Sequence, residues 1–448
     1  MKVLWLCNVM MPMIAEQLNI EASNKEGWLS GLASVILEKR NENGIELAVA
    51  FPAPENMFPE GHEVCMRTLN IRGSRLACYG FREDVTRPEL YDKGLEERLG
   101  KIIASCRPDM VHCFGTEYPH TLAMCRVFAE KKKLLVSIQG LCSQCAESYF
   151  ADMPERVIRS ATLRDRLKKD SIREQQRKFA LRGEMEREAV RLAGNIAGRT
   201  EWDRSHTKEW NPQAAYYNMN ETLRESFYGV CWKEEDCIPH SIFLSQGDYP
   251  VKGFHYMLKA MRQILKEFPD TKVYVAGNSV IGCETLKQKL KLSGYGRYLR
   301  KLIRENGLQD RVVMLGRLNE EQMKERYLKS HLFVCCSSVE NSPNSLGEAM
   351  LLGMPCVTAD VGGIPGIFTG GEDGIQYQGF RKGLNNGSNL EVVSARLAKS
   401  VIEIWKNKNK RDEYCKNARK HAEKNHNRER NYAKMTEIYT NIITAPEG

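Results

Sequence analysis

The sequence predicts an α/β protein built from two similar halves, and three observations lead to this class. Its 448 residues exceed what a single hydrophobic core usually supports. In each half, short apolar runs alternate with stretches of helical periodicity, an arrangement typical of a parallel sheet covered by helices. The hydrophobic content of 42% and the charged content of 27% are those of an ordinary globular protein.

The elements follow in order along the chain. The strand candidates of the first half are short apolar runs bounded by polar or turn residues, at 3–7, 47–51, 110–114, 134–138 and 195–198. Those of the second half lie at 242–245, 272–276, 312–315, 332–336 and 356–359. Helical patterns occupy 29–37, 255–268, 298–306, 320–330, 396–405, 412–424 and 431–443. We place the boundary between the halves at 227–239, which gives domains 1–228 and 229–425 and a last helical segment 426–448.

The composition excludes several classes of protein. A net charge of +9 is modest for this length, so nucleic-acid binding is not expected. No apolar run approaches the roughly 20 residues that span a bilayer, and Met1–Cys7 is typical of a buried strand rather than a signal peptide. Fifteen cysteines without regular spacing are typical of a reducing cytoplasm. The first strand lacks a following Gly-x-Gly-x-x-Gly pattern, so an NAD-dependent oxidoreductase is not expected.

A basic stretch lies in the first half. The segment 154–192 predicts one long helix or two, with Gly183 as a break. Between Glu155 and Arg191 it contains 12 Lys or Arg against 7 Asp or Glu. Two interpretations remain open: a solvated helix with internal ion pairs, or a surface that contacts anionic lipid or a diphosphate-bearing acceptor.

The most informative motif joins a buried strand to a helix. After the apolar run 331–336, residues 341–345 supply turn and N-cap chemistry, and a helix follows with Glu348 about one turn inside it. The positive end of a helix dipole and its free N–H groups attract phosphate, while Glu348 can accept hydrogen bonds from a ribose. The motif, which begins with Glu340, therefore predicts a nucleoside-diphosphate ligand.

A second loop of the same half supplies a cation. Residues 245–253 follow the first strand of this half and precede a helix, so Lys252 is predicted at the carboxyl edge of the sheet. A fixed lysine there can stabilise the negative charge that builds on a departing nucleoside diphosphate. The alternative is a solvated loop lysine.

Together these motifs resemble those of the family 4 retaining glycosyltransferases. The resemblance rests on Glu340-x7-Glu348, Lys252-Gly253, Gly353-x-Pro355 and the stretch 361–365, Val-Gly-Gly-Ile-Pro. The stretches 111–120 and 198–204 resemble the branch of that family encoded with capsular and other surface-polysaccharide pathways. The resemblance implies the GT-B fold, which has two Rossmann-like domains with parallel sheets facing across a cleft, and a C-terminal helix that crosses back to the N-terminal domain.

The resemblance also implies roles for individual residues. The second half would bind the nucleotide sugar and the first half the acceptor. Lys252 and Glu340 would be catalytic, the lysine on the phosphates and the glutamate at the transferred sugar. The implied donor-binding residues are Glu348, Asn344, Ser345, Leu346 and Gly247.

Two departures from the family pattern affect these roles. Gln246-Gly247 stands where members usually have Gly-Arg, and Arg199 or Arg317 could replace the missing cation as donor-binding residues, unless they are structural ion-pair arginines. Gln139, the third predicted catalytic residue, stands where many members have a histidine next to the donor sugar, and it can hydrogen-bond a sugar but cannot take a proton. Glu117 and His120 are therefore acceptor-side candidates, with loop packing as the alternative.

These inferences define one expected function and two alternatives. We expect a cytoplasmic, retaining hexosyltransferase at the inner face of the membrane that moves a sugar from a UDP- or GDP-linked donor to a glycan or polyprenyl-diphosphate-linked glycan. No Asp-x-Asp pair occurs in the chain, so we expect neither a metal nor another cofactor. The alternatives are a nucleotide-sugar epimerase of the same fold and a non-catalytic scaffold that binds nucleotide or glycan.

Overall fold

The structure is a computed structural model that describes residues 1–20, 27–282, 285, 290–381 and 387–445. It divides into two compact units. The first contains Met1–Ser143, Phe179–Glu225 and Asn425–Gly448, and the second contains Gln144–Lys178 and Ser226–Lys424. The predicted boundary placed 144–178 with the first half, whereas this segment clusters with the second unit.

The first unit is built on an eight-stranded sheet of order β3-β4-β2-β1-β5-β6-β7-β8, parallel except for the antiparallel pair β3 and β4. Its strands are β1 Lys2–Leu6, β2 Glu46–Pro52, β3 Val64–Ile71, β4 Ser74–Phe81, β5 Met110–Phe114, β6 Leu134–Ser137, β7 Asn195–Gly198 and β8 Ala215–Asn218. The five predicted strands are present. The edge strands β3 and β8 and the strand β4 next to β3 were missed, because β3 and β8 carry polar, exposed residues and β4 contains Gly and Arg.

Helices cover this sheet on both faces. They are Pro12–Gln17, Gly27–Glu38, Arg40–Asn43, Gly94–Cys106, Pro119–Val127, Glu201–Trp210 and Arg428–Thr444, while Cys142–Ser148 and Ile172–Leu192 contain residues of both units. No helix among the residues that the structure describes is long and apolar enough to cross a membrane.

The second unit is built on a fully parallel six-stranded sheet of order β11-β10-β9-β12-β13-β14. Its strands are β9 Ile238–Leu244, β10 Lys272–Ala276, β11 Val312–Gly316, β12 Ser330–Cys335, β13 Cys356–Asp360 and β14 Ile375–Gln378. Its helices are Glu155–Ile158, Leu163–Lys168, Phe254–Glu267, Gly294–Glu305, Glu320–Leu328, Asn344–Leu352, Gly387–Lys406 and Lys408–Asn425. In chain order these strands run 3-2-1-4-5-6, the order of a Rossmann-like sheet.

The C-terminal helix Arg428–Thr444 packs on the sheet of the first unit, as the sequence predicted. The Tyr439 hydroxyl accepts a hydrogen bond from Trp5 Nε1 (2.9 Å) and lies 2.6 Å from His112 Nδ1. The other ring nitrogen of His112 lies 2.6 Å from Ser137 Oγ. Burial lowers the pKa of His112 to about 3, so the ring is neutral and its role is structural.

The segment 144–178 docks on the second unit through polar contacts. His255 Nε2 lies 2.7 Å from the Ala151 carbonyl oxygen, and the Tyr256 hydroxyl donates to Asp152 Oδ2 at 2.8 Å. Further along, the Gly294 amide donates to Asp165 Oδ2 at 2.8 Å. These buried contacts with distant residues hold a segment whose own sequence is strongly polar.

The segment 154–192 forms three helices, Glu155–Ile158, Leu163–Lys168 and Ile172–Leu192, rather than one or two, and no break occurs at Gly183. Gly183 lies inside the continuous helix Ile172–Leu192, and a Cβ there would stand 2.7 Å from the Ser143 Cα. A glycine at this position allows close approach of two backbones rather than ending the helix.

The same helix supplies a fully buried carboxylate, Glu186, to the first unit. It accepts hydrogen bonds from the amides of Cys142 (2.8 Å) and Ser143 (3.1 Å) and from the hydroxyls of Ser143 (2.7 Å) and Thr116 (3.1 Å). Glu186 thus joins the loops that follow β5 and β6. Burial outweighs these donors and raises the pKa of Glu186 from 4.5 to about 7.

We expect the stability of this unit to depend on pH through Glu186. Between about pH 4.5 and 7 the Glu186 carboxyl keeps its proton in the native protein, whereas the same group in the unfolded chain has lost it. The protonated carboxyl therefore contributes its full stabilisation below this pH window, and that stabilisation is lost as the pH rises through the window. Relative to Glu186→Gln, the free energy of unfolding of the native protein should fall by up to about 3 kcal/mol across the window.

Urea unfolding of both proteins between pH 4.5 and 8 measures this difference. Glu188→Gln is the matched control, because Glu188 lies on the same helix but is exposed and paired with Arg126. A stability difference between native protein and Glu186→Gln that does not change with pH would contradict the prediction.

Candidate functional site

The predicted site residues of the second unit lie where its sheet reverses strand order. β9 and β12 are adjacent and parallel, so the loops that follow them leave the sheet side by side at its carboxyl edge. The first loop contains Lys252 and the second contains Glu340. Lys252 Nζ lies 2.6 Å from Glu340 Oε1, and Ser337 Oγ donates to the same oxygen at 2.7 Å. The structure therefore brings the two predicted catalytic residues together.

A close approach of the two loops forms this pair. Gly253 has a φ of 71°, and a Cβ at this position would overlap the carbonyl oxygen of Cys336. The Ser338 amide donates to the Val251 carbonyl at 2.7 Å, which fixes the register of the two loops. Lys252-Gly253 is thus a structural as well as a chemical motif, because only glycine lets the lysine loop lie this close to the end of β12.

A second glycine supports the glutamate. Gly362 has a φ of 55°, and a Cβ there would overlap the carbonyl oxygen of Glu340. The next amide, of Gly363, donates to that oxygen at 2.9 Å. The stretch 361–365 noted in the sequence therefore packs directly against the backbone of Glu340.

The lysine of this pair is cationic. The Lys252 and Glu340 side chains are 19% and 13% exposed. Burial lowers the pKa of Lys252, but the charge and hydrogen bond of Glu340 together with the nearby Tyr249 outweigh it and hold that pKa well above its usual value. Tyr249, whose ring centre lies 5.7 Å from Lys252 Nζ, has its pKa raised to about 12 by burial and remains a neutral phenol. The site thus presents one localised cation beside a carboxylate.

The helix Asn344–Leu352 begins directly after this loop. Its N-cap is Pro343, without a side-chain cap, so the N-cap chemistry predicted for 341–345 does not form. Leu346 donates its amide to the Pro343 carbonyl at 2.9 Å, whereas in the described chain the amides of Asn344 and Ser345 donate no hydrogen bond. Two N–H groups at the positive end of the helix dipole are therefore open to an anion.

Glu348 lies one turn into the same helix, and it is only 4% exposed. The carboxylate is therefore buried rather than a charge on the outer face of the helix.

Gly247, which stands where the family pattern has an arginine, is closely packed. A Cβ at Gly247 would stand 2.7 Å from Val275 Cγ1 and 3.2 Å from the Phe254 ring, so a longer side chain does not fit here without rearrangement. Arg317 lies at the same sheet edge, after β11. Its Nε donates to Asn278 Oδ1 at 2.8 Å, and Asn278 Nδ2 donates to Asp248 Oδ2 at 2.8 Å. Hydrogen bonds thus link Arg317 to the residue next to Gly247.

The first unit has a polar cluster at the corresponding reversal, between β1 and β5. Glu117 accepts hydrogen bonds from the Gly140 amide (3.2 Å) and from Asn8 Nδ2 (3.4 Å). His120 is fully buried, with Nδ1 2.6 Å from Glu83 Oε2 and Nε2 3.1 Å from Asn8 Oδ1. Asn8 therefore joins the two acceptor-side candidates. Asn8, Glu83 and Glu186 were not predicted from the sequence, although each follows a strand or lies on a predicted helix.

Arg199 and Gln139 also lie in the first unit. Arg199 Nη1 lies 2.6 Å from Glu221 Oε2, and both side chains are 5% exposed. Arg199 Nη2 donates to the carbonyls of Gln139 (2.9 Å) and Ile138 (3.2 Å). These are the contacts of a structural ion pair that holds the loop after β6, where Gln139 lies.

Comparison with known proteins adds a family match for the second unit. Residues 241–421 match the family described as "Glycosyl transferases group 1". A putative glycosyltransferase, YtcC, of Bacillus subtilis is 24% identical over 197 residues, which are 44% of this chain and 44% of the relative. N-acetyl-alpha-D-glucosaminyl L-malate synthase of Bacillus anthracis is 26% identical over 162 residues, 36% of this chain and 37% of the relative. The chain thus matches less than half the length of these curated relatives.

Solved structures match over the whole chain at low sequence identity. Sucrose-phosphate synthase from Thermosynechococcus elongatus has a TM-score of 0.65 at 16% identity, and the match covers 100% of both chains. Anabaena HepE in complex with UDP-glucose has a TM-score of 0.63 at 14% identity, with 98% of this chain and 99% of HepE covered. The predicted fold class is confirmed: the chain has the GT-B fold, and residues 241–421 match the group 1 glycosyltransferases.

Proposed function

We propose that this protein transfers a sugar from a nucleoside-diphosphate donor, bound by the second unit, to a glycan acceptor. The Lys252–Glu340 pair beside the open amides of Asn344 and Ser345 carries the proposal, because it supplies a cation and two N–H donors at one sheet edge. HepE, which shares the fold, was solved with UDP-glucose, and the match of residues 241–421 to group 1 glycosyltransferases supports the same class of reaction.

Each residue has a chemical task in this proposal. The ammonium of Lys252 and the helix amides stabilise the diphosphate as the bond from the anomeric carbon to the phosphate oxygen breaks. Glu348 accepts hydrogen bonds from the ribose hydroxyls. Glu340 keeps Lys252 charged and oriented and faces the transferred sugar, where a carboxylate stabilises positive charge at the anomeric carbon.

We propose that the anomeric configuration is retained and that no metal takes part. The acceptor hydroxyl forms its bond to the anomeric carbon on the face that the diphosphate leaves, and its proton passes to a phosphate oxygen. This route needs no protein nucleophile, and Lys252 with the helix dipole neutralises charge where another enzyme would use a cation.

The finer assignments follow the same reasoning. We propose a UDP- or GDP-linked hexose as the donor and a polyprenyl-diphosphate-linked glycan of a surface polysaccharide as the acceptor, met at the cytoplasmic face of the membrane. The first unit takes the acceptor, with Glu117 and Gln139 as contact residues. His120 is fully buried against Glu83 and Asn8, so we assign it a positioning role.

A donor screen with product detection tests the proposal. The full-length protein is titrated calorimetrically with UDP- and GDP-sugars, and each donor is then incubated with lipid extracts and analysed by mass spectrometry, with and without EDTA. We expect heat with one donor class and a glycosylated lipid-linked product. Conversion of a donor to its epimer in the absence of an acceptor would contradict the proposal and show that the protein is an epimerase. Donor binding without any turnover would contradict it in favour of a non-catalytic scaffold.

Lys252→Met should abolish most of the transfer. It keeps the length of the side chain but removes the charge that stabilises the leaving diphosphate, so kcat for donor hydrolysis or transfer should fall about 10²- to 10³-fold. Lys259→Met is the matched control, because Lys259 lies on the following helix and pairs with Glu391 instead.

Lys252→Met also leaves the buried Glu340 carboxylate without its cation, and the resulting destabilisation could lower the activity by itself. The double variant Lys252→Met/Glu340→Gln removes both charges, and thermal melting checks its fold. A folded double variant that keeps native kcat would show that Lys252 has no catalytic task.

Arg317→Ala should weaken donor binding more than it slows chemistry. A charge-assisted contact to the diphosphate is worth roughly 1.5–3 kcal/mol, so the Kd for UDP or GDP should rise at least about tenfold. Arg304→Ala, an exposed arginine at the end of the helix Gly294–Glu305, is the control. Equal nucleotide Kd values for both variants and the native protein would rule out Arg317 as the replacement cation.

A further inference from the structure

We infer that the helix Leu163–Lys168 of the second unit docks this protein on the surface of an anionic lipid bilayer. The inference deepens the proposed function by identifying the surface that meets the membrane of a lipid-linked acceptor. Its evidence is independent of sugar transfer.

Two leucines of this helix point into solvent. Leu163 and Leu167 are 68% and 77% exposed, and they lie one turn apart on one face. Among the large apolar side chains that are exposed in the described chain, they are the only two spaced by one helical turn; the others are Met66, Val85, Leu90, Ile238, Leu290 and Val392. The two leucines together form one continuous apolar surface, whereas the other exposed apolar side chains are scattered singly, as is normal for a protein surface.

The orientation of the helix is fixed from its opposite face. Each helical residue advances by about 100°, so Asp165 projects away from both leucines. Asp165 is fully buried, and its Oδ2 accepts hydrogen bonds from the amides of Thr162 (3.0 Å) and Gly294 (2.8 Å). The leucines therefore cannot turn inward without breaking these contacts.

The charge around the leucines is positive. Residues 155–178 contain nine Lys or Arg and four Asp or Glu, which is the whole excess of the basic stretch noted in the sequence. Each of the four acidic side chains has a partner within the segment. Asp165 and Asp170 contact Arg164, Glu155 contacts Arg159 and Arg173, and Glu174 caps the Ser171 amide.

Three cations beside the leucines remain available to an external anion. Arg166, Lys168 and Lys169 are exposed, and none of them forms an ion pair with the residues that the structure describes. Apolar side chains flanked by lysine and arginine are the pattern of a helix that lies in the interface of an anionic membrane. A soluble polyanion would not use the leucines, and a second copy of this basic surface would be repelled.

The docking helix belongs to the same folded segment that touches the donor site. Ser338, in the loop after β12, donates its hydroxyl to the Ser148 carbonyl at 3.0 Å, and Tyr256 bonds Asp152. Docking through Leu163 and Leu167 would therefore hold the Lys252–Glu340 loops of this unit at a defined distance from the lipid headgroups. Shallow insertion of two side chains makes the binding reversible.

Vesicle flotation of the full-length protein tests this inference. Vesicles of phosphatidylcholine with phosphatidylglycerol are compared with phosphatidylcholine alone, at low and high salt. The native protein should float with the anionic vesicles at low salt. Leu163→Ser/Leu167→Ser should lower the partition coefficient more than about tenfold. Arg166→Ala/Lys168→Ala/Lys169→Ala should remove the dependence on phosphatidylglycerol and on salt.

Met66→Ser/Leu90→Ser is the matched control, because it removes two exposed apolar side chains of the first unit and should leave flotation unchanged. All these side chains are exposed, so the variants should melt like the native protein. Equal flotation of the leucine variant and the native protein, or no binding to either vesicle, would overturn the inference. A dimeric native protein together with a monomeric leucine variant would also overturn the inference, because the leucines would then contact a second copy of the protein. Membrane binding as expected, without any donor turnover, would refute the proposed function and leave this inference standing.

Discussion

The reversal of strand order in each sheet decides where the polar side chains of this protein can gather. Connections on the two sides of a reversal leave the sheet in opposite directions, so the carboxyl edge between them is not covered by a crossing helix. In the second unit this edge lies between β9 and β12 and holds Lys252 and Glu340. In the first unit it lies between β1 and β5 and holds Asn8 and Glu117. One topological rule thus locates both clusters.

Close backbone packing then makes a partly buried ion pair tolerable. Taking a lysine and a carboxylate out of water costs more than their attraction returns unless the geometry is fixed and further donors are present. Gly253 lets the loops after β9 and β12 meet without a side chain between them, Gly362 lets the stretch after β13 pack against the Glu340 backbone, and Ser337 supplies the additional donor to Glu340. The pair is therefore better understood as a means of keeping a charged lysine in position than as a source of stability.

The sequence predicted what depends on local pattern and missed what depends on distant partners. Lys252 and Glu340 could be brought together from sequence, because both follow strands of one predicted sheet. Arg199 and Arg317 could not be told apart, since each follows a glycine at the end of a strand, and only the buried carboxylate of Glu221 distinguishes the first. Asn8 forms hydrogen bonds with residues more than a hundred positions away in the chain, and hydrophobic periodicity carries no information about such contacts. For the same reason, the polarity of 144–178 did not show with which unit this segment packs.

Each unit is built from stretches that are not contiguous in the chain, and this affects how the protein can fold during biosynthesis. The first unit packs β1 against the helix Arg428–Thr444, through Trp5 and Tyr439, so its core cannot close until the ribosome has synthesised the residue 434 positions after Trp5. The second unit needs 144–178, which is made before any of its strands. Neither unit can therefore be produced alone by a single cut of the gene. During translation, the apolar face of β1 therefore lacks this helix until Tyr439, 434 positions after Trp5, has been made.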